Sequence, residues 1–391
     1  MFYNKKEWSE LSLSLDLSDL YFVLVSILLF PITKDQIEFQ FRPFKGFSQR
    51  NHFLLTQNKI MKIKQTIGID ISKLTFDVRI HSNQCYQAFE NNLKGFKALI
   101  KWVEKNNSIS KEHTLFVLEH TGIYSEEIAS FFDVNNFYFA LIPGLEIKKS
   151  LGISRGKDDK VDATKIALYG YRLRDEIKPY KLPSKNIHQL KRLLTLRERL
   201  VKQNAGYKAT LKEQKRVYTR KENQLLLETQ EKMIKYFTKQ IKSVEAEMNK
   251  IIKASEQLKK QYKLIVSIKG IGNQTALFMI VTTNGFTKFA SWRKFASYCG
   301  IAPFPNTSGT SIRGRTKVSN LANKKLKSLF DMCAKSAIQH NPEMKLFYNR
   351  RVEQGKNKMS TINIIRNKLL SRIFAAIKRQ TPYVNVLKYA A

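Results

Sequence analysis

Four acidic residues stand where carboxylates would have to work together. Asp70 closes the apolar run Ile67–Gly68–Ile69, and Glu119 closes Leu115–Phe116–Val117–Leu118. Asp159 and Asp162 fall within Lys157–Asp158–Asp159–Lys160–Val161–Asp162–Ala163, three positions apart and so on one face of a helical turn. Like charges gathered this closely oppose one another unless a divalent cation lies between them. Four carboxylates suffice for one or two Mg2+ ions, which would activate a nucleophile and stabilise a leaving oxygen in phosphoryl transfer. Any one of these acids alone is more often a helix cap or a solvated charge, because acids are favoured at helix starts anyway. The weight rests on the set. Asp158 is the neighbour most easily confused with Asp159, and Asp77, inside the next strand-like run, is a weaker candidate.

A second chemistry is offered by Asn306–Thr307–Ser308–Gly309, which runs on to Arg313–Gly314–Arg315. A serine beside a glycine, in a loop flanked by arginines, could attack a phosphodiester; on residue types alone, most such loops are structural. Ile268–Lys269–Gly270–Ile271–Gly272, followed by Thr275–Ala276, has the form of a helix-hairpin-helix. Its glycines would let backbone N–H groups approach a phosphate closely, although a plain helical turn can use the same residues. From Asn273 to Phe330 there is no Asp or Glu, while nine Lys and Arg residues are present. So one-sided a stretch suits a nucleic-acid backbone. Lys269, Gly270, Gly272, Arg313, Arg315, Lys317, Lys324 and Lys325 are the candidate contacts.

These groups need elements to position them, and 391 residues leave room for two or three domains. Residues 1–60 are rich in Leu, Phe and Ser without a clean period, and Met61 directly precedes the first strand. That segment reads as an over-extended reading frame or, alternatively, as an extra element packed on the core. Residues 61–185 read as α/β, with strands at Lys64–Asp70, Thr75–Ile80, Gln84–Phe89, Thr114–Glu119 and Phe137–Leu141. Helices are expected at Asn92–Lys105, at Tyr124–Phe132, and from the aspartate pair to about Tyr171. Residues 186–263 are charged and helical. Met233, Phe237, Ile241, Val244, Met248 and Ile251 step by threes and fours there, as in a coiled coil. This is either an antiparallel pair packed on its own domain or an arm for self-association. Residues 264–391 read as mainly helical, with helices at Leu321–Gln339 and Thr361–Ile377, an exposed basic link at Arg350–Lys358, and Tyr383 and Tyr389 packing.

Composition names a class of partner. Lys and Arg number 69 against 32 Asp and Glu, a formal charge of +37 spread through hydrophobic, ordered-looking sequence. A polyanion, DNA or RNA, is the natural counterpart, with an anionic membrane surface as the other possibility. Cys85, Cys299 and Cys333 are far apart and no zinc spacing exists, which fits reduced thiols in a cytoplasmic protein. The longest apolar run, Leu20–Phe30, is too short to cross a bilayer, and Asp16 and Asp19 precede it where a signal peptide would be basic.

Taken in order, GIDISK, LEHTG, the spaced pair in KDDKVDA, IKGIG with TA, and YCGIAP…TSG…RGRTKVSN resemble the DEDD transposases of the IS110/IS1111 type. The resemblance spans about Met61 to Ile377. It implies a RuvC-like, ribonuclease-H-like N-terminal domain, a helical coiled-coil-like arm, and a mainly α C-terminal transposase domain. Asp70, Glu119, Asp159 and Asp162 would be the catalytic and Mg2+-binding acids, and Ser308 the serine nucleophile beside its glycine. Members often carry a threonine where this chain has Asp158; the three-residue spacing is kept. The resemblance further implies a homo-dimer or tetramer in which the acids of one subunit meet the serine of another. It also implies a structured guide RNA that pairs with donor and target DNA. Two other readings stand beside this one. The first is a RuvC-like structure-specific endonuclease that hydrolyses DNA with the same acids and no serine. The second is a non-enzymatic nucleic-acid-binding protein.

Overall fold

Two short runs rich in β-branched and aromatic residues, Gln65–Ile71 (β1) and Thr75–Ile80 (β2), pair antiparallel with Asp70 opposite Asp77. The computed structural model in which they do so describes residues 62–152 and 158–384; the 1–60 segment, Lys157 and Tyr389 lie outside them. Tyr86–Glu90 (β3) adds to the free edge of β2. It starts two residues later than the sequence suggests, because Gln84 turns the chain with a φ of 59° and donates to the His81 carbonyl. Helix α1 (Leu93–Asn106) follows, its first turn capped by the Asn92 side chain, which accepts from Gly95 N. Then come Thr114–Glu119 (β4), a 3-10 turn at Gly122–Ser125, α2 (Glu126–Val134) and Tyr138–Ile142 (β5). Helices α3 (Gly144–Ser150) and α4 (Asp159–Arg172) complete the order. The sheet runs β3-β2-β1-β4-β5, with β1, β4 and β5 parallel.

Strand alternation sends successive side chains to opposite faces. On one face Phe76 meets Phe96 of α1 and Phe116 stacks on Phe132 of α2 at 4.7 Å, all fully or nearly fully buried. On the other, Leu115, Val117 and Ala140 pack with Ile147 of α3 and with Ile166 and Tyr169 of α4. A mixed sheet covered by helices on both faces is consistent with the expected ribonuclease-H-like domain.

The described residues divide into two compact units, one ending at Tyr180 and the other beginning at Lys181. In the second unit the long helical stretch is three helices: α5 (Lys185–Val217), α6 (Gln224–Ala254) and α7 (Glu256–Val266). Helices α5 and α6 run antiparallel. Arg197 pairs with Glu245 at 2.7 Å, Asn204 donates to Thr238 at 3.3 Å, and Lys215 pairs with Glu231 at 2.6 Å, so partner numbers fall along α6 as they rise along α5. Phe237 of the apolar stripe meets Tyr207 of α5, and Val244, Met248 and Ile251 are buried. The stripe is therefore covered by the same chain. After α8 (Asn273–Thr282) and α9 (Trp292–Tyr298) comes a two-stranded antiparallel hairpin of β6 (Pro303–Ser308) and β7 (Ile312–Val318). Helices α10 (Lys324–His340), α11 (Pro342–Glu353) and α12 (Lys358–Arg379) end the unit. One core joins Leu190 of α5 and Met248 of α6 to Ile280, Phe295, Phe330 and Leu369.

Two expectations are corrected here. The basic link expected at Arg350–Lys358 is shorter than that: residues 350–353 are the last turn of α11, and residues 354–357 connect it to α12. Asn341 caps α11 by accepting from Glu343 N, and Pro342 occupies the first turn, where its missing N–H costs nothing. The run Asn341–Pro342–Glu343 carried that signal, and the dense charge after it obscured it. The serine segment, expected as a loop, is the end of a strand. Among the described residues no helix is long and apolar enough to cross a membrane.

Candidate active site

Strands β1 and β4 are parallel with Ile69 beside Leu118, so Asp70 and Glu119 are the next residues on adjacent strand ends. That is where open α/β sheets place ligand-binding groups. Alternation turns both toward the face covered by α4. The helix lies close because β1 has no side chain at Gly68: a Cβ there would fall 2.3 Å from Ala167 N and 2.4 Å from Ala163 O. Thr66 fixes the height by donating its hydroxyl to the Ala167 carbonyl at 3.0 Å. This docking carries the first turn of α4, with Asp159 and Asp162, toward the strand ends.

The electrostatics show that the four acids share one field. Burial pushes the Asp70 carboxyl up to about 6, and Glu119, Asp162, Asp159 and Asp77 add to the effect in that order. Glu119 is likewise raised, first by burial and then by Asp162. Asp77 is 8% exposed and accepts a hydrogen bond from the Tyr86 hydroxyl. That bond, with burial and acidic neighbours behind it, pushes the hydroxyl up to about 12. Asp77 is thus a fifth carboxylate on the same face, tied to a phenol.

Among the described residues no three Asp, Glu, His or Cys side chains converge closely enough to hold an ion as they lie. Asp162 is drawn into an ion pair with Lys165 at 2.8 Å, and Glu119 is laid against Gly144. Chemically the set fits Mg2+, which takes hard oxygen ligands. Burial first, and the neighbouring acids after it, keep Asp70 partly protonated, and a divalent cation would relieve the repulsion among those acids.

Gly144 is a residue whose place beside an acid no local feature of the sequence announces. A Cβ there would come within 2.2 Å of Glu119 Oε1. Gly144→Ala is expected to leave stability within about 1 kcal/mol, since a flexible side chain can yield. It is also expected to move the Glu119 carboxylate and lower strand-cleavage rate by roughly 10- to 100-fold. A cleavage assay beside a thermal melt checks both.

In the second unit, Ser308 is the last residue of β6, exposed and paired with Ile312 across the hairpin. Gly309, with a φ of 54°, opens the three-residue turn. Arg313, Arg315 and Lys317 alternate along β7 and so share one exposed face. In the turn between α7 and α8, Ile268 and Ile271 are buried while Lys269 and Gly272 are exposed. Gly270 packs on Ala337, where a Cβ would lie 2.7 Å from the alanine Cβ. Lys324 is exposed at the start of α10, whereas Lys325 is ion-paired to Glu198 at 2.6 Å.

Comparison with known proteins agrees with both halves. Residues 67–214 match a transposase family model of the DEDD, IS110 type, and residues 262–349 match the model for the transposase IS116/IS110/IS902 family. The chain is 30% identical over 328 residues to the pilin gene-inverting protein of Moraxella bovis, covering 82% of this chain and 98% of that protein. The pilin gene-inverting protein of Moraxella lacunata matches to the same extent. The uncharacterized 43.6 kDa protein of insertion element IS110 from Streptomyces coelicolor is 28% identical over 144 residues, 37% of this chain and 34% of its own length. The chain accordingly belongs to the IS110/IS1111 family of DEDD transposases, enzymes that cleave and rejoin DNA strands.

Proposed function

We propose that this transposase excises and inserts an insertion-sequence element, using Asp70, Glu119, Asp159 and Asp162 to hold one or two Mg2+ ions and Ser308 as nucleophile. The observation that carries the reading is the half-buried Asp70 carboxyl, raised to about 6 by burial and by acids from β2, β4 and α4. When bound, Mg2+ would supply charge neutralisation at the phosphoryl group. The chain's own residues do the rest. Strand ends and a docked helix fix the acids, and Lys165 orients Asp162.

Ser308 attacks phosphorus through Oγ, forming an O–P bond as the bond to the leaving sugar oxygen breaks and that oxygen takes up a proton. Return attack by a sugar hydroxyl frees the serine. Residues 273–330 contain no Asp, Glu or His, so no carboxylate or imidazole of that segment takes the Ser308 proton. A homo-dimer or tetramer in which the acids of one subunit meet the serine of another would bring a carboxylate to it. The turn at Ile268–Gly272 would act as a helix-hairpin-helix on the DNA backbone, with Arg313, Arg315, Lys317 and Lys324 as further contacts. The formal charge of +37 leaves ample capacity for a structured guide RNA as well as DNA. Inversion of a DNA segment, as the names of the two Moraxella relatives describe, would use the same cleavage and rejoining steps.

The test is a recombination assay with the element's flanking DNA, comparing the intact chain with Ser308→Ala and Asp70→Asn. Both variants are expected to fall by roughly 10^3-fold or more, and only the intact chain should yield a covalent protein–DNA adduct. Cleavage surviving in Ser308→Ala would instead identify a metal-dependent nuclease.

A further inference from the structure

On α11, Phe347 is followed at three and four residues by Arg350 and Arg351, which share its side of the helix. Lys368 of α12 places its Nζ 3.9 Å from the centroid of the Phe347 ring, while Arg350 and Arg351 lie at 6.0 and 5.9 Å. Three cations are therefore collected around one half-buried aromatic ring. None of them has a carboxylate partner among the described residues.

Neighbouring arginines are treated differently. Arg366 is paired with Asp331 and Arg372 with Glu343. Glu353, the other acid on α11, forms no ion pair with the cluster, and α12 contains no acid at all. A solvated basic face would spread its charges apart, whereas here three of them converge on one ring.

We propose that Phe347, Arg350, Arg351 and Lys368 form a binding site for the phosphodiester backbone of a nucleic acid, built of residues other than the acids and the Ser308 hairpin. Arginine forks match phosphate oxygens in pairs, lysine adds a point charge, and the ring holds all three cations in place beforehand. The inference rests on the chain acting on DNA. It does not depend on which residues perform the chemistry.

The experiment measures equilibrium binding of the full chain, without divalent metal, to a labelled element-end duplex. A single-stranded RNA is measured in a parallel arm, and each titration is repeated across a range of KCl concentrations. The variant Arg350→Gln/Arg351→Gln/Lys368→Gln is expected to bind roughly 10-fold more weakly. Its log–log salt slope should be shallower by up to about 2.7 for DNA, or up to about 2.1 for single-stranded RNA, one phosphate contact for each cation removed. Whichever arm shifts names the strand that occupies the site. The single variant Arg350→Gln, at an exposed position, is expected to shift the slope in the same direction, and it keeps the test sound if the triple variant melts early. Unchanged slopes and affinities in both arms, with native circular dichroism, would overturn the proposal.

Discussion

Replacing Asp70 by asparagine is expected to have two opposite consequences. Strand cleavage should fall by roughly 10^3-fold or more, on the order of 4 kcal/mol in the barrier, because the carboxylate at the centre of the proposed Mg2+ site is lost. The metal-free protein should nevertheless become more stable. In the folded chain the Asp70 carboxyl sits at about 6 against an ordinary 3.8, so the folded state holds a proton that the unfolded state has released. Stability contributed by this group therefore falls as pH rises from about 4 to about 6, and its penalty is complete above that window. A shift of this size would correspond to about 3 kcal/mol, and partial solvent screening reduces that to on the order of 1–2 kcal/mol. Asparagine escapes the penalty. Chemical denaturation in chelator should show the variant more stable at pH 7.5, with the gain vanishing near pH 4. A variant that is less stable at both pH values would contradict the account.

Gly68→Ala should produce the largest loss of stability. The added methyl would stand 2.3 Å from the backbone nitrogen of Ala167 and 2.8 Å from its Cα, and neither atom can swing away as a side chain can. Helix α4 would have to lift by roughly 1 Å, stretching the Thr66–Ala167 hydrogen bond and loosening Ile166 and Tyr169 from the sheet. Overpacking of this kind costs about 3 kcal/mol or more. Since α4 carries Asp159 and Asp162, activity should disappear at temperatures where the first unit is still folded. Thermal melts and cleavage rates measured side by side check this. A variant with wild-type melting and wild-type activity would show that α4 does not position the acids.

Much of this site is legible in the sequence. The β2 and β4 boundaries follow from their apolar and β-branched runs, and Asp70 and Glu119 are found at strand ends because an acid terminates each run. The aspartate pair opens α4, as the three-residue spacing suggests. What stayed hidden depends on contacts between segments distant in sequence. Nothing in Pro143–Gly144 says that a carboxylate from β4 will lie on it, and nothing around Gly68 says that a helix a hundred residues later needs its missing side chain. By sequence alone Asp77 is a weaker candidate, because it lies inside a strand-like run. Only the β1–β2 register, which sets it opposite Asp70, brings it into the acid field. Likewise the hairpin bearing Ser308 contains Pro303, Pro305 and Gly309, residues that argue for a loop when read singly. Cross-strand pairing on an exposed two-stranded ribbon is a non-local property that the run itself does not display.

The most direct test is a calorimetric titration of the full chain with Mn2+ or Mg2+ at pH 7.5, repeated for Asp70→Asn, Glu119→Gln, Asp159→Asn and Asp162→Asn. If the strand ends of β1 and β4 and the first turn of α4 build one cation site, each single replacement weakens the same binding step by about 10-fold or more. Proton release on binding should also shrink in Asp70→Asn, most clearly when the titration is repeated near pH 6. Titration curves that match the intact chain in all four variants would contradict that shared site.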